Sequence, residues 1–321
     1  MGQKNSRGFV EMKALSNCPL CGHIESKLLF EGKDRIISLP DKFRAFECKS
    51  CNCIFMNPQL SNAELEKHYS NKEYYSLKGI DTKSKKFKLK IFLYNLYFNS
   101  EIRKPIQRVL FSPIKYWVRG TRIRKGERIL DIGSGTGQFL YEMGKLGLDT
   151  YGLEPGKFED KGIESKNLKI KKGFLKQGLF EKKFFDLITL NHVLEHVNNP
   201  KEVLTEINRL LKGDGLFIVG VPNTHSLARK IFKKNWLAYD LPRHLINYSD
   251  KNLINFLKKN GFKIVKVRYN SRPSQFSVSL RYLLGFNKKF EKILDIIFLP
   301  LTWIVNAMKV GDQIEVWCEK R

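Results

Sequence analysis

The second half of the chain alternates between short apolar runs and helical segments, and the alternation begins after Gly126. Runs of this length are typical of buried strands, and helices between consecutive strands place those strands parallel in one sheet. Seven strands are predicted, at Arg128–Ile132, Asp149–Leu153, Leu168–Lys172, Phe185–Leu190, Leu216–Val221, Phe262–Tyr269 and Gln313–Cys318. The alternation therefore predicts an α/β fold with a mostly parallel, doubly wound sheet.

One helix of this region is clearly delimited by its sequence. Asn199 is a capping residue, Pro200 suits the first helical position, and Gly213 suits the residue after the last turn. Apolar residues recur at helical spacing between them. The pattern predicts a helix over Pro200–Lys212.

A glycine-rich turn, Gly133-Ser-Gly-Thr-Gly137, follows the first predicted strand. Its G-x-G-x-G spacing differs from the dinucleotide-binding pattern, and no Gly-Lys-Ser/Thr follows to hold a triphosphate. Asp131 stands two residues before Gly133, where a carboxylate would repel a pyrophosphate. Glu154 ends the second strand, where a carboxylate can accept both ribose hydroxyls. These acids favour a nucleoside with a cationic, phosphate-free tail, and S-adenosylmethionine is such a ligand.

Four of the six cysteines form two Cys-x-x-Cys pairs near the N-terminus. They are Cys18, Cys21, Cys48 and Cys51. In a reducing compartment such pairs are typical of zinc sites, in which four thiolates surround one tetrahedral ion. Each pair is followed by a residue that tolerates a left-handed backbone, Gly22 or Asn52. A redox dithiol, the competing interpretation, needs only one pair, so we predict a structural Zn²⁺ held by all four cysteines.

The chain is strongly basic, with 58 Lys and Arg against 32 Asp and Glu and a formal net charge of +26. Such a field suggests an anionic partner, either a nucleic acid or a membrane surface. The lysines are spread along the chain, which is also typical of ordinary solvated faces. Residues 1–17 lack the apolar run of a signal peptide, so a cytoplasmic location is expected.

A second apolar region precedes the last strand, over Phe290–Met308. Its longest charge-free piece, Ile296–Met308, is interrupted by Pro300 and is too short to span a bilayer. Together with the basic, aromatic segment Phe87–Phe98 it could form a surface that contacts an anionic membrane peripherally at its inner face. Ordinary helices that cover the sheet are the alternative.

Three regions are expected from these patterns. Residues 1–60 form the zinc ribbon, 61–123 a helical linker, and 124–321 the α/β core, with acceptor-side insertions at about 222–248 and 272–309.

From about Arg124 to the C-terminus the chain resembles class I S-adenosylmethionine-dependent methyltransferases of the 23 type that carry an N-terminal zinc ribbon. The matching motifs are Ile129–Gly137, Gly152–Pro155, Phe184–His196, Leu210–Leu216 and Asp240–Leu245. The resemblance implies a Rossmann-like seven-stranded sheet, mostly parallel with the last strand antiparallel, together with the small ribbon and extra helices. Many relatives place an adenine-contacting Asp after the third strand, where this chain has Gly173–Lys176 and no acid.

The resemblance also implies roles for single residues. It implies that the backbone at Gly133, Ser134, Gly135 and Gly137 approaches the cofactor. Asp131 would lie near the methionyl ammonium, Glu154 on the ribose, and Asn191 with His192 along the methionine side.

A hydroxyl acceptor also needs a base, and histidine is suited to this near neutral pH. The relevant histidines are His192, His196 and His244. His196, with its neighbour Glu195, follows the fourth strand, and His244 lies in a loop after the fifth. Glu195, His196 and His244 are the predicted catalytic residues. The alternative is structural: Glu195 and His196 brace the loop, and His244 belongs to a turn around Pro242.

The resemblance implies a small-molecule or glycan acceptor, with O-methylation of a sugar or lipid-linked saccharide in polysaccharide biosynthesis as the first hypothesis. Sugar C-methylation would need an enolising base instead. An RNA methyltransferase is the second hypothesis, although the run Asn191–Leu194 lacks the Pro-Pro-aromatic sequence that stacks an extruded base. A binding module with an inactive core is the third.

Overall fold

The structure of the protein, a computed structural model, describes residues 12–35, 41–61, 64, 84–98, 124–156 and 168–321. Its strands are β1 (Met12–Lys13), β2 (Ser26–Lys33), β3 (Lys42–Cys48), β4 (Ile54–Met56), β5 (Gln59–Leu60), β6 (Arg128–Ile132), β7 (Asp149–Glu154), β8 (Leu168–Lys172), β9 (Phe185–Asn191), β10 (Leu211–Pro222), β11 (Ile246–Asn247), β12 (Phe262–Tyr269) and β13 (Gln313–Lys320). Its α-helices are α1 (Lys85–Phe98), α2 (Gln138–Lys145), α3 (Pro200–Leu210), α4 (Leu227–Phe232), α5 (Asp250–Lys259), α6 (Ser274–Leu284), α7 (Glu291–Ile297) and α8 (Leu299–Ala307).

All seven predicted core strands are present in one sheet of order β12-β13-β10-β9-β6-β7-β8. Five neighbouring strands of this sheet run parallel, namely β8, β7, β6, β9 and β10. Strand β13 lies between β10 and β12 and is antiparallel to both. The predicted fold class is therefore confirmed. The carboxyl ends of β6, β7 and β9 meet at one edge of this sheet, where parallel-sheet proteins bind their ligands.

The predicted end of the helix that begins at Pro200 was wrong. The helix ends at Leu210, and Leu211 is already extended because it pairs with Phe185 in the neighbouring strand. Gly213 therefore lies within β10 rather than at a helix terminus. Asn199 occupies the capping position, but its side chain makes no capping hydrogen bond.

The N-terminal sheet has four antiparallel strands in the order β11-β4-β3-β2. Its edge strand β11 comes from the predicted insertion at 222–248, and Ile246 lies opposite Phe55 in β4. Buried residues of this sheet, such as Phe55 and Met56, share one hydrophobic core with Leu190 of the large sheet. The N-terminal sheet is therefore completed by a strand about 190 residues further along the chain.

Of the predicted helical region 61–123, only Ser61, Glu64 and residues 84–98 are among the described residues. Helix α1 packs beside α2, where Lys90 and Tyr94 both contact the buried carboxylate of Glu142 at 2.7 and 3.1 Å. The rest of that region lies outside the described residues.

Candidate active site

The glycine turn adopts a conformation that side chains rarely allow. Gly133, Gly135 and Gly137 have φ angles of 71°, 55° and 76°, in the left-handed region that favours glycine. A β-carbon on Gly133 would also lie 2.3 Å from Cγ2 of Val193, which follows β9. The turn therefore needs glycine both for its backbone angles and for the close approach of the next loop.

Asp131 is held by its neighbour in the sheet. The residue pairs with Thr189 across β6 and β9, and the Thr189 hydroxyl donates to its carboxylate at 2.5 Å. Asp131 is buried at the carboxyl end of its strand. The two strands thereby fix a carboxylate beneath the glycine turn.

Glu154, the last residue of β7, holds the glycine turn to the segment that follows β7. Its carboxylate accepts hydrogen bonds from the backbone N–H groups of Gly135 at 2.7 Å and Gly156 at 2.8 Å. A carboxylate offers about four acceptor positions, so two remain for further donors such as ribose hydroxyls. Glu154 is thus both a brace of the glycine turn and an acceptor beside it.

Ser134 lies deeper than its neighbours in the turn. Its backbone N–H donates to Leu153 at 3.0 Å. Its hydroxyl is buried without a hydrogen-bond partner among the residues that the structure describes. Gly152 provides the space for this hydroxyl, because a β-carbon there would lie 2.9 Å from it.

Asn191 is the last residue of β9, the strand that pairs with β6 beside Asp131, and His192 follows it. Asn191 pairs with Gly220 of β10, and a β-carbon on Gly220 would lie 2.5 Å from the Asn191 side-chain oxygen. His192 has a left-handed backbone, with φ 56°, and its N–H donates to the Gly220 carbonyl at 2.8 Å. Gly220 therefore creates the space for Asn191 and fixes the turn at His192.

These observations fit S-adenosylmethionine. The turn at Gly133–Gly137 leaves backbone close to the sheet edge, and an unpartnered buried hydroxyl lies at Ser134. Carboxylates flank the turn at Asp131 and Glu154, which suits a ligand with a cationic tail and a ribose diol. The structure brings all the predicted cofactor residues to one edge of the sheet.

The predicted catalytic residues also come together, around the buried Glu195. His192 donates its Nδ1–H to Glu195 at 3.3 Å, and Nε2 of His244 lies 4.0 Å from the same oxygen. The rings of His196 and His244 meet edge to face, with centroids 4.7 Å apart. One ligand atom from each of Glu195, His196 and His244 lies within 4.8 Å of the others, so this set could also hold a divalent cation.

Two of these imidazoles have their tautomer fixed by backbone carbonyls. The Nδ1–H of His196 donates to Arg243 at 2.8 Å, and that of His244 donates to Ala238 at 2.7 Å. In the neutral ring this leaves the lone pair on Nε2.

The charges in the cluster differ from residue to residue. Burial lowers the pKa of His244 to about 4, and the neighbouring His196 acts in the same direction. Burial alone would raise the pKa of Glu195, but the hydrogen bond from His192 and the charges of the surrounding imidazoles lower it to about 2. At neutral pH a carboxylate therefore lies next to the neutral His244.

The loop that carries His244 is fixed by a buried ion pair that the sequence did not reveal. Arg243 is fully buried and donates to both oxygens of Asp34 at 2.8 and 3.0 Å. It also donates to Asp240 at 2.9 and 2.5 Å, and these two acids raise its pKa against the effect of burial. The motif at 240–245 is thus joined to Asp34, the residue directly after β2.

The four cysteines form one cluster. The sulfur of Cys18 lies 3.6 Å from that of Cys51, and the sulfur of Cys21 lies 3.6 Å from that of Cys48. Four thiolates at about 2.3 Å from a tetrahedral zinc ion would lie about 3.8 Å apart, so the spacing fits zinc.

The backbone of the two knuckles fits the same arrangement. As expected, the residues after each pair are left-handed, with φ 75° at Gly22 and 55° at Asn52. These turns let the N–H of Gly22 and of Asn52 bond to the first cysteine of each pair.

Sequence reasoning missed Gly220, Arg243 and Asp34, and it did not connect His192 with Glu195. Gly220 had no visible signal, because its role depends on which strand lies beside it. Within the motif Asp240–Leu245 the sequence points to His244 alone, whereas Arg243 is fully buried in the structure. A buried role for Arg243 could have been inferred only if its partner Asp34, 209 residues away, had been known.

The sheet order, the glycine turn and the two flanking acids define the class of S-adenosylmethionine-dependent methyltransferases. The sequence profile of a methyltransferase-domain family, type 23, matches residues 96–267, which is more than half of the chain. The chain belongs to this family, and it is an S-adenosylmethionine-dependent methyltransferase with a four-cysteine cluster near its N-terminus.

Several named relatives are similar to this chain. A demethylmenaquinone methyltransferase of Lactobacillus johnsonii is 30% identical over 210 residues, which cover 61% of this chain and 80% of the relative. A ubiquinone biosynthesis O-methyltransferase of Pelagibacter ubique is 28% identical over 187 residues, covering 51% and 76%. A methyltransferase crystal structure from Archaeoglobus fulgidus aligns with a TM-score of 0.45 at 19% identity, covering 71% of this chain and 99% of that one.

Proposed function

We propose that the protein transfers the methyl group of S-adenosylmethionine to a hydroxyl group of a small molecule or glycan, with a sugar or lipid-linked saccharide as the preferred class. The observation that carries this proposal is the cluster of histidines around Glu195. It follows β9 directly, next to the proposed cofactor residue Asn191, and it includes His192. The two relatives named for ubiquinone and menaquinone synthesis support an acceptor of small size.

The bound cofactor would supply a methyl group that is already activated for displacement. The chain has to orient the acceptor oxygen in line with that methyl group and remove a proton from it. In the proposed arrangement Asp131 faces the ammonium group, Glu154 binds the ribose, and Asn191 lies along the methionine chain. The backbone of Gly133–Gly137 approaches the cofactor.

Among the histidines, His192 has the contacts expected of a base. Its side chain is 39% exposed, and its Nδ1–H is held by the carboxylate of Glu195, whose side chain is 1% exposed. A buried carboxylate that orients an imidazole leaves Nε2 available as a proton acceptor. We assign the proton transfer to His192.

Glu195 and His244 are positioning residues in this proposal. Glu195 orients His192. His244 is nearly buried and packs against the ring of His196, which keeps that ring beside the carboxylate.

Cofactor binding is tested by calorimetric titration with S-adenosylmethionine and S-adenosylhomocysteine. We expect Glu154→Ala to weaken binding at least tenfold, because the variant loses the ribose acceptor and the brace of Gly135. Glu181→Ala, at an exposed residue, is the control. Equal affinities in the two variants would contradict the assignment of Glu154.

Methyl transfer is tested with labelled cofactor on a panel of nucleotide sugars, lipid-linked saccharides, quinone precursors and RNA. We expect His192→Asn to lower kcat at least a hundredfold with little change in the KM for the cofactor. His225→Asn is a matched control, since His225 is 41% exposed and lies 3.3 Å from the carboxylate of Asp250.

Glu195→Gln should lower kcat less than His192→Asn does and should also change the pH profile, which a merely structural role would not do. Full activity of His192→Asn, or methylation of RNA alone, would refute the proposal.

A further inference from the structure

The segment between β12 and β13, the predicted insertion at about 272–309, presents an apolar surface to solvent on α7 and α8. We call this the apolar face and define it by Ile293, Ile296, Ile297, Trp303, Ile304 and Met308. Each of these side chains is between 53% and 74% exposed. Single exposed apolar side chains are ordinary in proteins, but six of them within sixteen consecutive residues of two neighbouring helices are typical of an interaction surface.

The opposite side of α8 is buried and mostly apolar. Val305 and Thr302 are buried, and the ring of Phe298 lies 5.4 Å from that of Phe276 in α6. A surface helix ordinarily buries one apolar face and turns a polar face to water. Helix α8 has apolar side chains on its exposed side as well as on its buried side. An apolar exposed side is typical of a surface that binds a partner or a membrane.

The charges around the apolar face are asymmetric. Lys288, Lys289, Lys292 and Lys309, which neighbour the apolar face in the sequence, are all exposed. The two acids of this stretch point inward: Glu291 pairs with Arg281, and Asp295 accepts a hydrogen bond from the buried Ser277 at 2.5 Å. The rim of the apolar face is therefore positive, which complements an anionic surface.

The position of this insertion relates it to the active site. Strands β12 and β10 both pair antiparallel with β13, so they run in the same direction, and β10 is parallel to β9. The chain leaves β12 at Tyr269 on the edge of the sheet where β9 ends at Asn191, and it returns into β13 at Gln313. The insertion thus begins and ends at the edge that carries the cofactor residues.

We propose that the apolar face binds the surface of a bilayer rich in anionic lipids and lies at the boundary of headgroups and acyl chains. Among the described helices none is long and apolar enough to cross a membrane, so the contact is interfacial. Trp303, with its amphipathic ring, is suited to this depth. The inference rests on α6–α8 and not on the identity of the acceptor, so it can fail while the proposed function holds.

Flotation of the full chain with vesicles tests this inference. We use vesicles of phosphatidylcholine alone and vesicles that contain one quarter phosphatidylglycerol, each at low and at high salt. The protein should float with the anionic vesicles, and high salt should weaken but not abolish the binding, because the apolar contribution does not depend on screening.

Two variants separate the apolar from the electrostatic contribution. Ile296→Ser with Trp303→Ser should reduce binding at least about tenfold. Lys288→Glu with Lys289→Glu and Lys292→Glu should remove the preference for anionic lipid. Leu28→Ser, at a side chain that is 52% exposed on the N-terminal sheet, is the apolar control.

Lys201→Glu with Lys259→Glu and Lys263→Glu, at exposed positions outside the insertion, is the charge control. Circular dichroism and cofactor titration establish that each variant is folded.

Absence of vesicle binding, or binding that both test variants retain, would overturn the proposal. Light scattering provides a further discriminating result. If the chain is a dimer that Ile296→Ser with Trp303→Ser converts to a monomer, and neither form binds vesicles, a second copy of the chain covers this surface instead.

Discussion

The proposed cofactor side and the proposed acceptor side of this enzyme are built from different kinds of contact. On the cofactor side, Asp131, Gly133–Gly137 and Glu154 lie within two consecutive strand-turn units, and most of their partners are adjacent strands. On the proposed acceptor side, the cluster around Glu195 includes His244, from a loop that Arg243 ties to Asp34, directly after β2. One side is assembled locally and the other by contacts across almost the whole chain.

This difference implies that the two sides can be damaged separately. A local site depends on backbone geometry within a short segment, so it should survive changes far away. A site assembled from remote segments depends on every element that brings them together, here the cysteine cluster, the pairing of β4 with β11 and the buried ion pair.

The largest effect is expected from loss of the proposed zinc ion. Cys48→Ser should abolish metal binding and destabilise the N-terminal sheet by several kcal/mol, since the free energy of metal binding contributes to folding, at about 10–16 kcal/mol in isolated zinc fingers. Metal analysis should find about one zinc ion per chain in the parent protein and in Cys318→Ala, whose altered residue lies in β13.

Cofactor affinity tells whether the two sides are separable. We expect Cys48→Ser to retain binding of S-adenosylmethionine within about threefold while methyl transfer is lost. Loss of both together would show that the comparison between the two sides does not hold.

The next largest effect concerns the buried ion pair. Arg243→Met leaves the carboxylates of Asp34 and Asp240 buried without their cation, which should lower the free energy of unfolding by about 3–5 kcal/mol. Chemical denaturation measures the loss. Adding Asp34→Asn to Arg243→Met should recover part of it, because one unpaired charge is removed. No recovery would mean that the two side chains act independently.

The stability of the acceptor side should also depend on pH. His244 is held neutral with its pKa lowered to about 4, whereas in the unfolded chain it would titrate near the ordinary value of about 6.5. The folded state therefore binds fewer protons between these values, and the free energy of unfolding falls as the pH falls through this range, on the order of 3 kcal/mol in all.

The pKa of Glu195, lowered to about 2, extends the loss in the same direction below about pH 4.5. The dependence of the free energy of unfolding on pH, from denaturation curves between pH 7 and 4, should be flatter for His244→Asn than for the parent protein. A parent protein whose stability did not change over this range would contradict the burial of a neutral His244.

The smallest effect on stability is expected on the cofactor side. Gly133→Ala forces a β-carbon towards Val193 at a left-handed backbone position, which should cost about 1–3 kcal/mol and weaken cofactor binding at least about tenfold. Gly213→Ala is the matched control, because a β-carbon there meets nothing within 4 Å.

Adding Val193→Ala to Gly133→Ala should restore part of the stability, since the clash is relieved while the backbone strain stays. If Gly133→Ala bound the cofactor normally, the glycine turn would not be the binding element.

The seven strands could be predicted because each is a short apolar run whose burial depends mainly on its own composition. The boundary at Leu211 could not, because the helix stops there in favour of pairing with Phe185. The cysteine knuckles were predictable from spacing alone, down to the left-handed residues Gly22 and Asn52. The roles of Gly220 and Arg243 could not be predicted, because both depend on residues that only the fold makes neighbours.

The sequence by itself determined the class of sheet, the cofactor and the four-cysteine cluster, because turn glycines, strand-end acids and cysteine spacing act through local geometry. Only the tertiary structure decided that Glu195 lies between three histidines and that β11 completes the N-terminal sheet. It also decided that the segment bearing α7 and α8 begins and ends at the edge that carries the cofactor residues. Those relations are contacts between segments that are far apart in the sequence, and such contacts form only when the complete fold brings the segments together.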